Sequence, residues 1–395
     1  MTKTPGNTLD AENLMNAAAE SAALDDFGDL EFVEPLKQRL AAAGRYVSFS
    51  ETGLAAYAAG IVNDLVNRLR LTRDLKRHPE ILDENVSDPI VIFGLPRTGT
   101  TKLQRMMSAD KANHSLLFWK ILNFAPFPEA ASGQPDPRIA VGKAACEYTA
   151  TAHPEIMKVH AAYYDQAEED SYLVGASYEH FVNAVTLSEP EYSSYVQARP
   201  AENAYRYLRT VLQYLQWQEG GKHGPWILKA PVHLGYINTI LSMFPNATLV
   251  QTHRDAAIAF ASLCHLIELA TLMHGDHADP LQIGRDQLRI WEIEWNRNRA
   301  DRAALTADDR LIDVDYEEIE NDPFSVLEAV YALAGRNLSD AGRAAMAGWQ
   351  TENSKNRHGR HEYRLEDYGV SHVQVEEAFS SQIGYKGSES IGRAI

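Results

Sequence analysis

Two periodicities of apolar residues run through this chain. Residues 11–85 place alanine, leucine and charged side chains at helical spacing, which predicts two or three helices. Further along, four short apolar, β-branched runs are each followed by a helical pattern, and these runs are PIVIFG, PWILKA, NATLVQTH and RLIDVDY. Continuous apolar runs of this length are typical of buried parallel strands. Strands that alternate with helices predict an α/β protein with a central parallel sheet.

The same pattern divides the chain into regions. We expect a helical N-terminal extension over residues 1–85 and an α/β domain over residues 86–395. Residues 110–220 contain scattered aromatics and the loop-like stretch PFPEAASGQPDPR, and they are predicted to form a helical cap over the sheet. The last forty residues look irregular apart from a short helix near HVQVEEAF.

Composition narrows the class of protein. The 395 residues carry a net charge of −17 at pH 7, which argues against a nucleic-acid-binding or acidic-membrane surface. Cys146 and Cys264 have no metal-ligand spacing, which indicates a reducing compartment. No signal-peptide core is present and no stretch approaches eighteen unbroken apolar residues, so we expect a cytoplasmic protein without an integral membrane segment.

The first predicted strand leads into VIFGLPRTGTTK (91–102), which is close to the phosphate-binding pattern G-x-x-x-x-G-K-[ST]. The glycines let backbone N–H groups point inward, and the following helix adds its positive N-terminus. Thr98, Thr100 and Thr101 add hydroxyl groups. Thr100 occupies the lysine position after Gly99, so the cation of the loop is Arg97, whose planar guanidinium suits an anion without a bridging metal. The fold expected around this loop is a P-loop-like α/β/α sandwich of three layers.

A second candidate anion site follows the third predicted strand. Arg254 stands at the carboxyl end of that strand, and Ser262 follows eight residues later in the next predicted helix. Open α/β sheets bind ligands at the carboxyl ends of their strands, so both side chains can reach one anion. The alternative is that Arg254 pairs with Asp255 or caps a helix.

Together these motifs resemble the sulfotransferase family that uses 3′-phosphoadenosine 5′-phosphosulfate (PAPS). The PRTGTT loop (96–101) matches the family's phosphosulfate-binding loop, and Arg254 with Ser262 matches its 3′-phosphate-binding pair. LKAPVHL matches a K-x-P motif of the bacterial branch and of protein-tyrosine sulfotransferases, with Lys229 in place. The tail SKNRHGRHEYRLEDYGV is similar to a glycine-, basic- and tyrosine-rich segment of the bacterial branch.

The resemblance runs from about residue 88 to the end of the chain and implies transfer of a sulfuryl group from PAPS to a hydroxyl group, with no metal required. Positioning and electrostatic stabilisation dominate such reactions, and Arg97 and Lys229 can neutralise the charge that develops. In the basic tail segment, Arg360 follows Gly359 and is expected to close over the 3′-phosphate, unless the segment is a solvated loop.

The general base is the open question. Relatives carry a glutamate about two dozen residues after the loop, often after a tryptophan, whereas this chain has Lys120 after Trp119. Because an ammonium group is a poor base, we predict His160 or Glu169 in the cap as the catalytic base. Other candidates near these are His153, Glu168, Asp170 and His114, and for each acid the alternative is a solvated helix face.

Two rival functions and the partners remain open. A P-loop nucleotide kinase needs an acid for magnesium, for which Asp313 and Asp315 are available, and Lys120 suggests a non-catalytic PAPS-binding relative. Aromatic residues of the cap favour a small apolar or lipid-like acceptor over a sugar, and the N-terminal helices are expected to shape an acceptor entrance or a homodimer contact.

Overall fold

A computed structural model describes residues 8–128, 133–186, 188–306, 310–353 and 363–379. The strands are β1 Ile90–Gly94, β2 His114–Ser115, β3 Trp226–Lys229, β4 Thr248–His253 and β5 Arg310–Asp315. The helices are α1 Ala11–Ala22, α2 Val33–Tyr46, α3 Glu51–Arg77, α4 Thr100–Ala109, α5 Phe118–Leu122, α6 Pro137–Ala152, α7 Pro154–Val159, α8 Ser171–Gly175, α9 Val182–Val185, α10 Pro190–Gln197, α11 Glu202–Gln218, α12 Ile237–Met243, α13 Ala256–Leu272, α14 Pro280–Ala303, α15 Tyr316–Asn321, α16 Pro323–Leu333, α17 Asp340–Glu352 and α18 His372–Phe379. Short 3₁₀ turns lie at Pro79–Asp83, Pro231–His233 and Leu365–Tyr368.

The strands form one parallel five-stranded sheet in the order β2-β3-β1-β4-β5. In register, Ile90 of β1 lies opposite Ile227 of β3 and Thr248 of β4. Because all pairs are parallel, the carboxyl ends of the strands meet at one edge, which we call the carboxyl edge. The predicted parallel sheet is confirmed. Strand β2 was missed, because two residues inside the predicted cap are too few to show a strand period.

Helices cover both faces of the sheet. Val91 and Phe93 of β1 pack into a core with residues of α11, α13 and α14, whereas Ile90 and Ile92 face the opposite way and pack with residues of α4 and α16. Since successive side chains of a strand point to opposite faces, a strand buried on both faces must be apolar at every position. The predicted three-layer α/β/α fold is confirmed.

The N-terminal helices α1, α2 and α3 surround their own apolar cluster. Tyr178, which follows α8, joins this cluster and is fully buried. At the start of α3, a Cβ atom on Gly53 would lie 1.7 Å from the carbonyl oxygen of His274, so α3 begins in direct backbone contact with the segment after α13. In the parts of the chain that the structure describes, no helix is both long and apolar enough to span a bilayer.

Candidate functional site

The loop predicted to bind phosphate connects β1 to α4 at the carboxyl edge. At Gly94 a Cβ atom would lie 2.4 Å from the carbonyl oxygen of Thr252 on β4. Gly99 has a φ of +91°, and a Cβ there would lie 3.1 Å from the ring of Tyr316. Glycine is therefore required at both positions, at the first for the close approach of two strands and at the second for a left-handed turn as well. The turn aims the N-terminus of the ten-residue helix α4 across the loop.

The threonines of the loop have different roles. The Thr98 hydroxyl is buried, donates to the carbonyl oxygen of Leu95 at 2.7 Å and lies 2.6 Å from the Thr252 hydroxyl. The Thr98 hydroxyl thus stabilises the loop itself. Thr98 would contact a phosphate through its backbone N–H. Thr100 is buried at the start of α4, whereas Thr101 accepts a hydrogen bond from Nζ of Lys229 at 3.3 Å.

Arg97, Arg254 and Ser262 come together beside the loop. Arg97 Nε donates to Ser262 Oγ at 3.2 Å, and Arg254 Nη1 donates to the backbone carbonyl of Arg97 at 3.0 Å. The Arg254 guanidinium also stacks over the ring of Tyr316, 4.0 Å from its centroid. Burial and the neighbouring charge of Arg254 lower the pKa of Arg97. A bound anion would relieve this repulsion, so the arrangement is suited to a phosphate group.

Tyr363 is a residue at this site that the sequence analysis did not single out. Burial raises the pKa of Tyr363, while the charge of Arg97 and a hydrogen bond to Ser262 oppose the increase. Its ring lies 4.9 Å from that of His265. The tyrosine-rich character of the tail was the only signal in the sequence. Arg360, with its neighbours Lys355, Arg357, His358 and His361, lies outside the described residues.

Lys229, the lysine of the K-x-P motif, ends β3 at the carboxyl edge. Its side chain is fully buried, and its Nζ lies 2.7 Å from Glu169 Oε1 as well as near Thr101. Ser171 Oγ donates to the other carboxylate oxygen of Glu169 at 3.1 Å. The predicted catalytic residues Lys229 and Glu169 are therefore in direct contact next to the start of α4.

Glu168 and His160 form a second pair beside this contact. Glu168 is buried, with Oε1 at 3.2 Å from His160 Nε2 and Oε2 at 3.5 Å from Arg105 Nη2. Burial alone would raise the pKa of Glu168, but its interactions with His160, Lys229 and Arg105 outweigh burial and hold the pKa well below its usual range. Nitrogen and oxygen atoms of His160, Glu168 and Glu169 all lie within 4.8 Å of one another. The three consecutive acids at residues 168–170, which we call the acid run, form a largely buried charged cluster with Glu169 partly exposed, and not a solvated helix face.

His114 and Lys120 lie away from this cluster. His114 of β2 is in register with Trp226, the first residue of β3, whereas Lys229 is the last, so about 10 Å of strand separates the two levels. The His114 ring lies 2.6 Å from a carboxylate oxygen of Glu219, and Lys120 forms an ion pair with the same carboxylate. Lys120 therefore does not take the place of a base beside Lys229.

The backbone explains how Glu169 reaches the site. Leu117 forms an antiparallel bridge with Ala167, and the N–H of Glu168 donates to the carbonyl oxygen of Leu116 at 2.9 Å. This pairing places the acid run beside the carboxyl end of β3, where Asp170 Oδ1 accepts the backbone N–H of Lys229 at 2.8 Å. His153 caps the C-terminus of α6, and its ring contacts Tyr148.

The two acids considered for magnesium already have protein partners. Asp313 binds His253 at 2.6 Å and Arg302 at 2.7 Å. Burial alone would raise the pKa of Asp313, but these two partners outweigh it and lower the pKa. Asp315 forms a capping box with Glu318 at the start of α15. Their contacts are those of structural residues, which does not favour the nucleotide kinase.

Comparison with known proteins identifies relatives of this chain. A family model described as Sulfotransferase family matches residues 89–340. The omega-hydroxy-beta-dihydromenaquinone-9 sulfotransferase Stf3 of Mycobacterium bovis is 23% identical over 252 residues, and its counterpart in Mycobacterium tuberculosis matches equally. The alignment spans 62% of this chain and 62% of the curated relatives it matches.

Solved structures with a similar fold come from mycobacterial sulfotransferases. STF1 from Mycobacterium tuberculosis H37Rv superposes with a TM-score of 0.81 at 27% identity, over 93% of this chain and 98% of that one. STF9 from Mycobacterium avium superposes with a TM-score of 0.83 at 24% identity, over 93% of this chain and 94% of that one. The fold, including the N-terminal helices within the covered length, is thus shared with these proteins.

Proposed function

This chain belongs to the sulfotransferase family, and on that premise we propose that it transfers a sulfuryl group from PAPS to the hydroxyl group of an apolar acceptor. The proposal rests on one observation. A candidate phosphate-binding site and a charged cluster with the proposed catalytic residues lie together at the carboxyl edge of the sheet. The first contains Arg97, Arg254 and Ser262, and the second contains Lys229 and Glu169. The loop and the N-terminus of α4 lie between them.

The donor is held by the residues that surround the loop. Backbone N–H groups of the loop and of the first turn of α4 receive the 5′-phosphosulfate, with Arg97 as the nearest cation. Arg254, Ser262 and, outside the described residues, Arg360 receive the 3′-phosphate. These guanidinium groups and Lys229 supply the positive charge that magnesium supplies in P-loop nucleotide enzymes, so we propose a reaction that requires no metal.

In the transfer step, the acceptor oxygen forms a bond to sulfur while the bond between sulfur and the bridging phosphate oxygen breaks, and its electron pair stays on the phosphate. Lys229 and Arg97 neutralise the charge that appears on that oxygen. Glu169 takes the acceptor proton. It is the carboxylate nearest to Lys229, so a group that reacts beside the ammonium lies within reach of Glu169.

His160 and Glu168 support this proton transfer. Glu168 keeps its negative charge because its interactions with His160, Lys229 and Arg105 outweigh the cost of burial, and it accepts a hydrogen bond from Nε2 of His160. The imidazole lies within 4.8 Å of Glu169 and is itself partly exposed. We assign His160 the role of receiving the proton from Glu169 and releasing it to solvent.

An apolar acceptor is supported by the surface next to Glu169. Tyr172 is 52% exposed, and its ring contacts Phe118 edge-on at 6.2 Å. Tyr172 follows Ser171, the residue that binds Glu169, so an exposed aromatic surface adjoins the proposed base. The relative Stf3 is named for a hydroxylated menaquinone derivative, which is also an apolar alcohol.

A binding measurement and a transfer measurement test the proposal. Adenosine 3′,5′-bisphosphate, the desulfo product, is expected to raise the melting temperature in EDTA, whereas ATP with magnesium has little effect. The reverse ranking would favour the nucleotide kinase. Transfer of ³⁵S-sulfate from labelled PAPS to 2-naphthol and to farnesol tests turnover, and binding without transfer to any alcohol would favour the non-catalytic relative.

Two variants assign the base. Glu169→Gln keeps the size and the hydrogen bond to Lys229 but removes the basic oxygen, so kcat is expected to fall about 10²- to 10⁴-fold. His160→Asn is expected to cost less, because Glu169 remains. If His160→Asn costs more than Glu169→Gln, the base is His160.

Location and assembly complete the proposal. Cys146 and Cys264 are free, which fits a reducing compartment such as the cytoplasm. We propose a homodimer contact through α1–α3, since these helices precede the catalytic domain and pack outside the sheet. Sedimentation analysis of the full chain and of a variant lacking residues 1–80 tests this, and a full chain that sediments as a monomer would reject it.

A further inference from the structure

Behind Lys229 lies a buried chain of three polar side chains. Asp170 Oδ2 is 2.7 Å from His233 Nε2, and His233 Nδ1 is 2.8 Å from the hydroxyl of Tyr205. All three residues are at most 1% exposed. The other carboxylate oxygen of Asp170 accepts the backbone N–H of Lys229. The catalytic roles proposed above use neither His233 nor Tyr205.

The direction of each hydrogen bond follows from the partners. Asp170 accepts a backbone N–H on one oxygen, and its other oxygen accepts from Nε2 of His233, which carries the proton. In the tautomer with its proton on Nε2, Nδ1 accepts the O–H of Tyr205. In this arrangement every polar side-chain atom of Asp170, His233 and Tyr205 has a hydrogen-bond partner. This is the condition for a buried polar network to rigidify its surroundings.

The network joins three elements at the place where the reaction occurs. Tyr205 belongs to α11, His233 to the 3₁₀ turn after β3, and Asp170 directly follows Glu169 in the acid run. Through Asp170 the network fixes the backbone of Lys229 and the backbone next to Glu169 at the same time. The 2.7 Å contact between the Lys229 ammonium and the Glu169 carboxylate depends on these two backbones.

We propose that Tyr205, His233 and Asp170 act as a positioning relay, which holds Lys229 and Glu169 in the geometry that sulfuryl transfer requires. The relay rests on the proposed function for its catalytic consequence. A fully buried Asp is costly for stability compared with an apolar residue, so its presence here fits a need for defined geometry at the end of β3. The three residues touch neither donor nor acceptor and act only through Lys229 and Glu169.

Tyr205→Phe tests the relay with the loss of one hydroxyl group. We expect kcat to fall about 10- to 100-fold, because a displacement of about 1 Å at reacting groups has an effect of this size, while KM for PAPS stays within twofold. Asp170→Asn is expected to act in the same direction, because its amide cannot accept from both donors.

Tyr331→Phe is the matched control. Tyr331 is equally buried, and its hydroxyl donates to Asp110 at 2.9 Å and accepts from Asn113 at 2.7 Å. Asp110 follows the C-terminus of α4, about 15 Å from the loop at the other end of that helix. Both tyrosine variants are expected to lose thermal stability, but only Tyr205→Phe is expected to lose kcat. Equal kcat values in the two variants would overturn the relay.

A second readout does not depend on turnover. In the ¹⁵N spectrum of the histidine-labelled full chain, the ring resonances of His233 are identified as those that disappear in His233→Asn. In the wild type these resonances are expected to show the Nε2–H tautomer. In Asp170→Asn this tautomer is expected to be lost. A resonance of the Nδ1–H tautomer in the wild type would also overturn the relay. If the wild type transfers sulfate to no acceptor, the proposed function fails, and this spectrum alone decides the hydrogen-bond directions on which the relay depends.

Discussion

Replacing Lys229 by Met removes one positive charge from the proposed site and keeps nearly the same length of side chain. The ammonium can approach an anion at 2.7 Å, as its contact with Glu169 shows. At an effective dielectric constant of about 20, two unit charges at that distance interact with about 6 kcal/mol. If about half a charge develops on the leaving oxygen, the transition state loses about 3 kcal/mol, and kcat falls about 100-fold. Losses of one oxyanion donor in other enzymes span a similar range.

The assay is initial-rate transfer of ³⁵S-sulfate at saturating PAPS, with the melting temperature measured in parallel. The control is Lys222→Met. The ammonium of Lys222 pairs with Asp88 at 2.5 Å, and Lys222 lies before β3, at the opposite edge of the sheet. Lys222→Met is expected to keep kcat within twofold. A folded Lys229→Met protein with less than a fivefold loss of kcat would refute the charge-stabilising role of Lys229.

Three further predictions concern the loop, the proposed 3′-phosphate site and the acid run. Gly94→Ala is expected to destabilise the fold by about 1–3 kcal/mol in urea unfolding, because its Cβ would lie 2.4 Å from a backbone oxygen. The control is Gly60→Ala, whose Cβ would have no atom within 4 Å and which is expected to be neutral or stabilising. Ser262→Ala is expected to weaken binding of adenosine 3′,5′-bisphosphate about tenfold in calorimetry without affecting adenosine 5′-monophosphate, and equal losses for both nucleotides would remove Ser262 from the 3′-phosphate site. The folded-state pKa of Glu168 is depressed, so the stabilisation by its carboxylate is present above the unfolded-state pKa of about 4.3 and is lost as the pH falls. Glu168→Gln is therefore expected to reduce the decrease of the free energy of unfolding at acid pH. An unchanged slope of that free energy against pH would contradict this.

Some of the site could be predicted because its residues stand at fixed places in local motifs. The glycines and Arg97 belong to one strand–loop–helix unit, and Arg254 follows a strand whose end must lie at the same edge. The parallel order of the strands then brings Ser262 and Arg97 to 3.2 Å. For Lys229, the K-x-P motif predicted a position at a strand end, and the structure has it there.

The cap could not be predicted in the same way. Which carboxylate reaches Lys229 depends on the bridge between Leu117 and Ala167, a contact between segments fifty residues apart with no periodic signal. Counting residues from the loop led to Lys120, whereas the fold turns Lys120 toward Glu219 and brings Glu169 to Lys229. Spacing along the chain fails here, because a residue count does not encode a contact between segments fifty residues apart.

Local sequence patterns predict the α/β class, the glycine-containing loop after β1 and the two cationic strand ends, because each depends on a few neighbouring residues and on the rule that parallel strands end at one edge. The folded structure is needed to see that Thr98 faces inward, that Glu168 is a buried ion and that Asp170, His233 and Tyr205 are linked. These are properties of burial and of contacts between distant segments. Hydrogen-bond partners and solvent exposure exist only once the chain has folded, so the same acid run is a solvated face in one context and a charged site in another.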